Sequence, residues 1–229
     1  MLRFTPILLA VLYGYILYRF SAWRTAKQLD AQSTELADPG LKRLTDRMAE
    51  ALDLPRIRVH IYEIEPVNGL AAPDGRIFIT RGFYNKYRQG QVSAEEMASV
   101  IAHELGHVAL GHSRRRMIDF SGQNALRTAL AMILSRFIPG FGVYIANALT
   151  SLLAARLSRA DEYEADAYAT ALLLKAGIGA SAQKSLFTKL ESLTGARGAM
   201  PAWLLSHPVT KDRIAAIEAN EAKWASGAP

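Results

Sequence analysis

The chain of 229 residues contains no cysteine. That absence excludes disulfides, cysteine zinc ligands, thiol catalysis and a lipidated N-terminal cysteine. It leaves the compartment open, because a cysteine-free protein is stable on either side of a membrane. Any transition metal must rest on His, Asp and Glu. Histidine is scarce too, with five in the whole chain. Acidic residues are outnumbered, 21 against 27 basic, for a net charge of +6. Such an excess suits nucleic acid or an anionic lipid surface. The basic residues are scattered, and their densest groups (Arg19, Arg24, Lys27; Arg114, Arg115, Arg116) lie beside apolar stretches. No aromatic-basic platform or other nucleic-acid signature is present, so lipid is the expected partner and nucleic acid is not. Half the residues are hydrophobic and a fifth charged, with no repeat or low-complexity tract. A disordered chain and a polytopic membrane protein are thereby excluded.

Residues 4–18 form an uncharged run between Arg3 and Arg19. As a helix it reaches roughly 22 Å, short of the ~30 Å hydrocarbon core. Snorkelling arginines and interfacial Tyr13, Tyr15 and Tyr18 make up the difference. No A-x-A-like site follows, so the expectation is an uncleaved single-pass anchor in the cell membrane over residues 1–25. A polar linker or loosely packed helix over 26–40 leads to a domain over 41–225. Arg19, Arg24 and Lys27 follow the run, against Arg3 and the α-amine before it, which places the domain in the cytoplasm.

Residues 41–52 carry Leu41, Leu44, Met48, Ala51 and Leu52 on one helical face. Residues 57–64 read as a strand, and 70–72 and 76–80 flank the turn Pro73-Asp74-Gly75. A small antiparallel sheet thus precedes a helix that the capping box Ser93-Ala94-Glu95-Glu96 opens and Gly111 ends. Helices resume over 158–175, 181–193 and 208–224. The fold class is α+β, mainly helical.

His103-Glu104-Leu105-Gly106-His107 lies inside the capped helix. Residues four apart share a face, so both imidazoles reach one ion, while Glu104 contacts a water on that ion without ligating it. This is the content of the H-E-x-x-H zincin motif. A catalytic zinc needs a third protein ligand. The extended motif with Gly at 110 and His at 113 is absent, since Leu110 and Ser113 stand there. The remaining option is a later glutamate. Glu162 and Asp166 are four apart, so Glu162 can ligate while Asp166 accepts the second ring N–H of a histidine ligand; read blandly, they are a solvated acidic helix start.

Four blocks in order resemble the HtpX-like zinc metallopeptidases, the gluzincin family that includes the CAAX prenyl endopeptidases and Oma-type mitochondrial proteases. They are the stretch from Asn68 to Gly75, the motif from His103 to His107, Ser158-Arg159-x-x-Glu162-Tyr163-x-Ala165-Asp166, and His207-Pro208-x-x-x-x-Arg213-Ile214. The resemblance implies a minigluzincin-like domain with one zinc per chain, Glu162 as third ligand, Asp166 as partner of His103, and Asn68 and Ala71 on the substrate rim. It departs from the family at Asn68-Gly69-Leu70, usually N-A-F or similar. His207 and Arg213 are candidate oxyanion donors. Alternatively His207 caps a helix whose first position is Pro208 or acts as a reversible fourth ligand, and Arg213 pairs with an acidic neighbour.

Residues 76–80, ahead of the zinc helix, correspond to the upper edge strand of zincins. An edge strand binds an extended peptide by backbone pairing, so the substrate is a non-folded protein segment. Residues 137–155 carry no charge, but a single crossing there would put His107 and Glu162 on opposite sides of a membrane. Core packing with partial membrane contact is the expectation. Membrane-associated or misfolded proteins are the expected substrates. The alternative is a membrane-bound chaperone or adaptor of zincin fold, against which Glu104 argues, since a binding module needs no general base.

Overall fold

The computed structural model describes residues 5–72, 74–190, 207 and 211–225, the side chains of 5–11, 13–14, 17–18, 21–22, 113–125 and 225 excepted. In chain order the elements are α1 (Thr5–Ala31), β1 (Ser33–Glu35), α2 (Pro39–Ala51), β2 (Val59–Tyr62), β3 (Gly69–Ala71), β4 (Ile77–Thr80), α3 (Arg81–Arg88), α4 (Ala94–Ala109), α5 (His112–Phe137), α6 (Gly142–Lys175), α7 (Ser181–Leu190) and α8 (Lys211–Ala225). They fall into two units. One comprises Gln32–Gly111 and Asp161–Pro229, the other Met1–Ala31 and His112–Ala160.

The first unit is built round α4. Ser93 accepts from the Glu96 N–H while the Glu96 carboxylate accepts from the Ser93 N–H, closing both ends of the capping box. Gly111, at φ +69°, supplies the left-handed residue that ends the helix. Every residue of α4 from Glu96 to His107 is buried. Its apolar side chains (Met97, Val100, Ile101, Leu105) join Leu41, Leu44 and Met48 of α2, Ile77 and Ile79 of β4, Leu172 and Leu173 of α6, and Leu186 of α7 in one core. Asp38 caps α2, accepting from the Gly40 and Leu41 N–H groups at 2.9 and 3.0 Å. The same carboxylate accepts the hydroxyls of Tyr84 and Tyr87, which fastens α3 to α2.

The sheet has strand order β1-β2-β4-β3. The turn before Gly75 makes β3 and β4 an antiparallel hairpin, Gly69 opposite Ile79. β4, however, runs parallel to β2, Val59 opposite Ile77. The sheet is therefore mixed, a correction to the antiparallel expectation. Local turn chemistry specifies a hairpin but not which of its strands docks on β2. The expected edge strand is corrected likewise: β4 lies between β2 and β3, and all four of its residues are buried, the mark of a strand covered on both faces. β3 is the edge. The 26–40 segment holds the end of α1 and then β1, which pairs antiparallel with β2.

In the second unit, α5 and α6 are joined at Pro139-Gly140, with Gly140 at φ +83°. A Cβ on Gly142 would collide with the backbone of Leu134 and Ser135, so the chain turns back tightly on the end of α5. The uncharged stretch is not core, contrary to expectation: Phe137, Phe141, Tyr144 and Leu152 are 76%, 66%, 71% and 67% exposed. α1 presents Leu12, Ile16, Phe20 and Trp23 to the exterior. No helix among the described residues is long and apolar enough to cross a membrane.

Candidate metal centre

One turn apart on α4, His103 and His107 present their Nε2 atoms 3.1 Å from each other, with the rings edge-on. Glu162, on the part of α6 within the same unit, brings Oε2 to 3.4 Å from His103 Nε2 and Oε1 to 3.5 Å from His107 Nε2. Gly106 makes that approach possible. A Cβ there would sit 3.0 Å from the Cα and the carbonyl oxygen of Ala165, so the two helices meet with nothing between their backbones. One turn after Glu162, Asp166 accepts from His103 Nδ1 at 3.0 Å. His207 Nδ1 lies 3.3 Å from His103 Nε2 and 2.8 Å from Glu162 Oε2.

Donor atoms of His103, His107, Glu162 and His207 all lie within 4.8 Å of one another, and all four residues are buried. A tetrahedral ion held by N and O donors at ~2.0–2.1 Å keeps those donors about 3.3 Å apart. The separations of 3.1 to 3.5 Å around His103 and His107 match it. Formal charge agrees. Glu104, Glu162, Asp166 and Arg213 are each at most 3% exposed, so three buried carboxylates are set against one buried guanidinium, a surplus that a divalent cation would neutralise. The proton affinities of the site's imidazole and carboxylate shift toward their charged forms. Burial disfavours a charged His103, but hydrogen bonds to Asp166 and Glu162 outweigh it and raise its pKa to about 9. Burial likewise opposes ionisation of Glu162, yet His103 and His207 hold its carboxyl well below the usual range.

Glu104 projects from the next position of α4, and its Oε1 is buried without a hydrogen-bond partner among the described residues. His207 Nε2 lies 3.5 Å from it. Edge strand β3 passes beside it: a Cβ on Gly69 would meet Val100 and come within 3.6 Å of Glu104 Cγ. Asn68, at the entry to β3, also leaves its buried side-chain oxygen without a hydrogen-bond partner among the described residues. Ala71 sits at the far end of β3, opposite Ile77.

Arg213, from α8, has the acidic neighbours that one of its two readings requires. Its Nε and Nη2 donate to the two oxygens of Asp166 at 2.6 and 2.8 Å, Nη1 lies 3.4 Å from Glu162 Oε2, and the guanidinium rests over Phe187. Pro208 lies outside the described residues, and with it the reading of His207 as a residue preceding a helix start. Sequence reasoning missed Gln183 of α7. This buried amide approaches Asp166 Oδ1 at 3.4 Å and accepts from the Thr170 hydroxyl at 2.9 Å. It belongs to no motif, and its position on the inner face of α7 was the one available signal.

Residues 35–221 match the model of peptidase family M48. The chain is 29% identical to the metalloprotease LoiP of Escherichia coli over 175 residues, which is 75% of this chain and 67% of that protein. It is 25% identical to the mitochondrial metalloendopeptidase OMA1 of Homo sapiens over 68% of this chain and 30% of that one. With a protease HtpX homolog of Salinibacter ruber it shares 28% identity over 92% of this chain and 85% of that one. The chain thus spans between under a third and most of the length of these relatives.

Proposed function

The chain belongs to peptidase family M48, and on that premise we propose that it is a zinc-dependent metalloendopeptidase cutting extended segments of membrane-associated or misfolded proteins. The observation that carries the reading is Glu104 Oε1, a buried carboxylate oxygen without a hydrogen-bond partner among the described residues, beside a donor set spaced for one ion. Residues His103, His107 and Glu162 would hold one zinc per chain. When bound, zinc polarises the scissile carbonyl and lowers the pKa of a water. Glu104 takes a proton from the attacking water and delivers it to the amide nitrogen as the C–N bond breaks, leaving a carboxylate and an amine. Asp166 holds the His103 proton on Nδ1 and so keeps Nε2 free to ligate. The substrate backbone adds to the open side of β3, next to Glu104, with Asn68 and Ala71 at the rim.

His207 is assigned as the oxyanion donor. A second reading, a reversible fourth ligand that holds the enzyme off, is favoured by its Nδ1 lying among the other donor atoms. Localisation is proposed as a cell membrane, with α1 as the anchor and the catalytic unit on the cytoplasmic side. Exposed Leu12, Ile16, Phe20 and Trp23 followed by Arg24 and Lys27 support this.

The test is metal analysis and casein cleavage. Glu104→Gln is expected to abolish cleavage and keep about one zinc per chain, because the base is lost and the ligands remain. Glu162→Ala is expected to empty the site, and the exposed Glu164 changed to Ala is not. Normal turnover in Glu104→Gln would remove Glu104 as the base, and absence of cleavage by the wild type itself would leave the chaperone or adaptor reading.

A further inference from the structure

We propose that the α5–α6 turn, with the helix on either side of it, enters one leaflet of an anionic bilayer and leaves on the same side. This adds a second membrane contact to the α1 anchor and takes from that reading only the presence of a bilayer.

The burial pattern at the start of α6 is inverted. Gly142, Ala146 and Thr150, four apart on one face, are buried, while Val143, Tyr144, Leu149 and Leu152 are exposed. A helix in water hides its large apolar side chains and exposes its small and polar ones. A helix in lipid packs through its small residues and turns the large ones outward. The one hydroxyl on the packed face, Thr150, donates to Ala146 O at 2.8 Å and needs no outside partner. At the turn, the N–H groups of Ile138, Phe141 and Gly142 donate to Leu134 and Ile138 carbonyls, as hydrocarbon demands.

Charge selects the occupant. Residues 120–160 contain no Asp or Glu, and their four charges are arginines at 127, 136, 156 and 159. All four are exposed, and they flank the uncharged 137–155 stretch on both sides. Arg136 and Arg156 therefore sit where anionic headgroups would lie if the turn pointed into the bilayer. A soluble protein partner would have to cover this apolar surface and also supply carboxylates at its rim; a bilayer of anionic lipid provides both.

Length selects the depth. From Gly142 to Ala155 a helix reaches about 20 Å, enough for one leaflet and short of the ~30 Å core. Entry and exit on one side also keep His107 and Glu162 in one compartment, which their shared donor cluster requires.

The chain lacks cysteine, so single labels can be placed without background. Full-length Ile16→Cys, Phe141→Cys, Tyr144→Cys and Arg159→Cys would carry an environment-sensitive fluorophore, checked for casein cleavage, in vesicles of phosphatidylglycerol and phosphatidylcholine. Labels at 141 and 144 are expected to be quenched several-fold more by acyl-chain nitroxide lipids than by aqueous iodide, and the label at 159 the reverse. Iodide quenching at 141 and 144 equal to that at 159 overturns the proposal. So does a label at 144 shielded by a second copy, reported by cross-linking between chains, or one reached by an impermeant reagent from the side opposite Arg159. The Ile16 label separates the two readings: lipid quenching there with water at 141 and 144 removes the turn alone, and water at all positions removes the anchor as well.

Discussion

Gly106→Ala sets a local gain against a packing loss, and the contact between α4 and α6 decides the sign. Ala in a helix interior is favoured over Gly by about 0.8–1.0 kcal/mol. The new methyl would lie 3.0 Å from Ala165 Cα and O and 3.2 Å from Tyr168 Cβ, where carbon atoms prefer ~3.5–4.0 Å. Two of those neighbours are backbone and cannot rotate aside, so α6 must withdraw by roughly half an ångström. Overpacking of this kind costs about 1–3 kcal/mol, and the two effects leave a net loss of about 0–2 kcal/mol. The metal site should suffer more than the fold. Glu162 stands three residues before Ala165 on the same helix, with its oxygens 3.4 and 3.5 Å from the imidazole nitrogens. Metal sites tolerate only about ±0.2 Å in a ligand distance. Zinc affinity, measured by chelator competition, is expected to fall roughly ten- to a hundredfold, as when a positioning contact is lost. Thermal unfolding with and without chelator and casein cleavage at saturating zinc complete the assay. Zinc affinity within twofold of wild type together with a raised melting temperature would refute the close approach.

If His207 donates to the oxyanion, His207→Ala lowers turnover by roughly a hundredfold with zinc retained; a raised rate instead supports the inhibitory fourth ligand. Asp38→Asn tests the α2–α3 junction. Burial opposes the Asp38 charge, but the Leu41 and Gly40 N–H groups and the Tyr87 and Tyr84 hydroxyls outweigh it and lower its pKa from the usual 3.8. A depressed carboxyl stabilises above its unfolded pKa and loses that contribution as pH falls through the folded value. The melting gap between wild type and Asp38→Asn is therefore widest near neutrality and closes below about pH 4; a gap unchanged from pH 7 to 3 defeats the argument. For orientation, a C-terminal tag in intact spheroplasts should resist external protease until the membrane is opened, and immediate loss puts the catalytic unit outside.

The elements with local signals were legible in the sequence. The capping box and Gly111 bracket α4 within a residue at each end, and the apolar face of α2 was read correctly at Leu41, Leu44 and Met48. β1 and α3 were missed for opposite reasons. Ser33–Glu35 is too short and polar to show a strand period, and it exists because β2 offers it a partner. α3 begins directly where β4 ends, with Thr80 serving as the cap, so no loop separates two periodicities. The parallel β2–β4 pairing is a tertiary choice, since the hairpin could present either strand to β2 with the same turn.

At the site, a spacing of four residues reveals which side chains share a helix face, and it brought His103, His107, Glu162 and Asp166 to notice. It cannot reveal what one carboxylate receives from several elements. Asp166 accepts from His103 on α4, twice from Arg213 on α8, and is approached by Gln183 on α7. These contacts account for the burial of Arg213. An imidazole that must ligate through Nε2 has to carry its proton on Nδ1, and a buried carboxylate beside it could take that proton instead. Burial does push the Asp166 carboxyl up, but the hydrogen bonds from His103 and the Arg213 fork outweigh it and lower its pKa. Under the proposed function, Arg213 would thus keep Asp166 an acceptor, so that the proton stays on the histidine. A lysine there would supply one donor where the fork supplies two in fixed directions, so the planar group, and not only its charge, is what the arrangement around Asp166 uses.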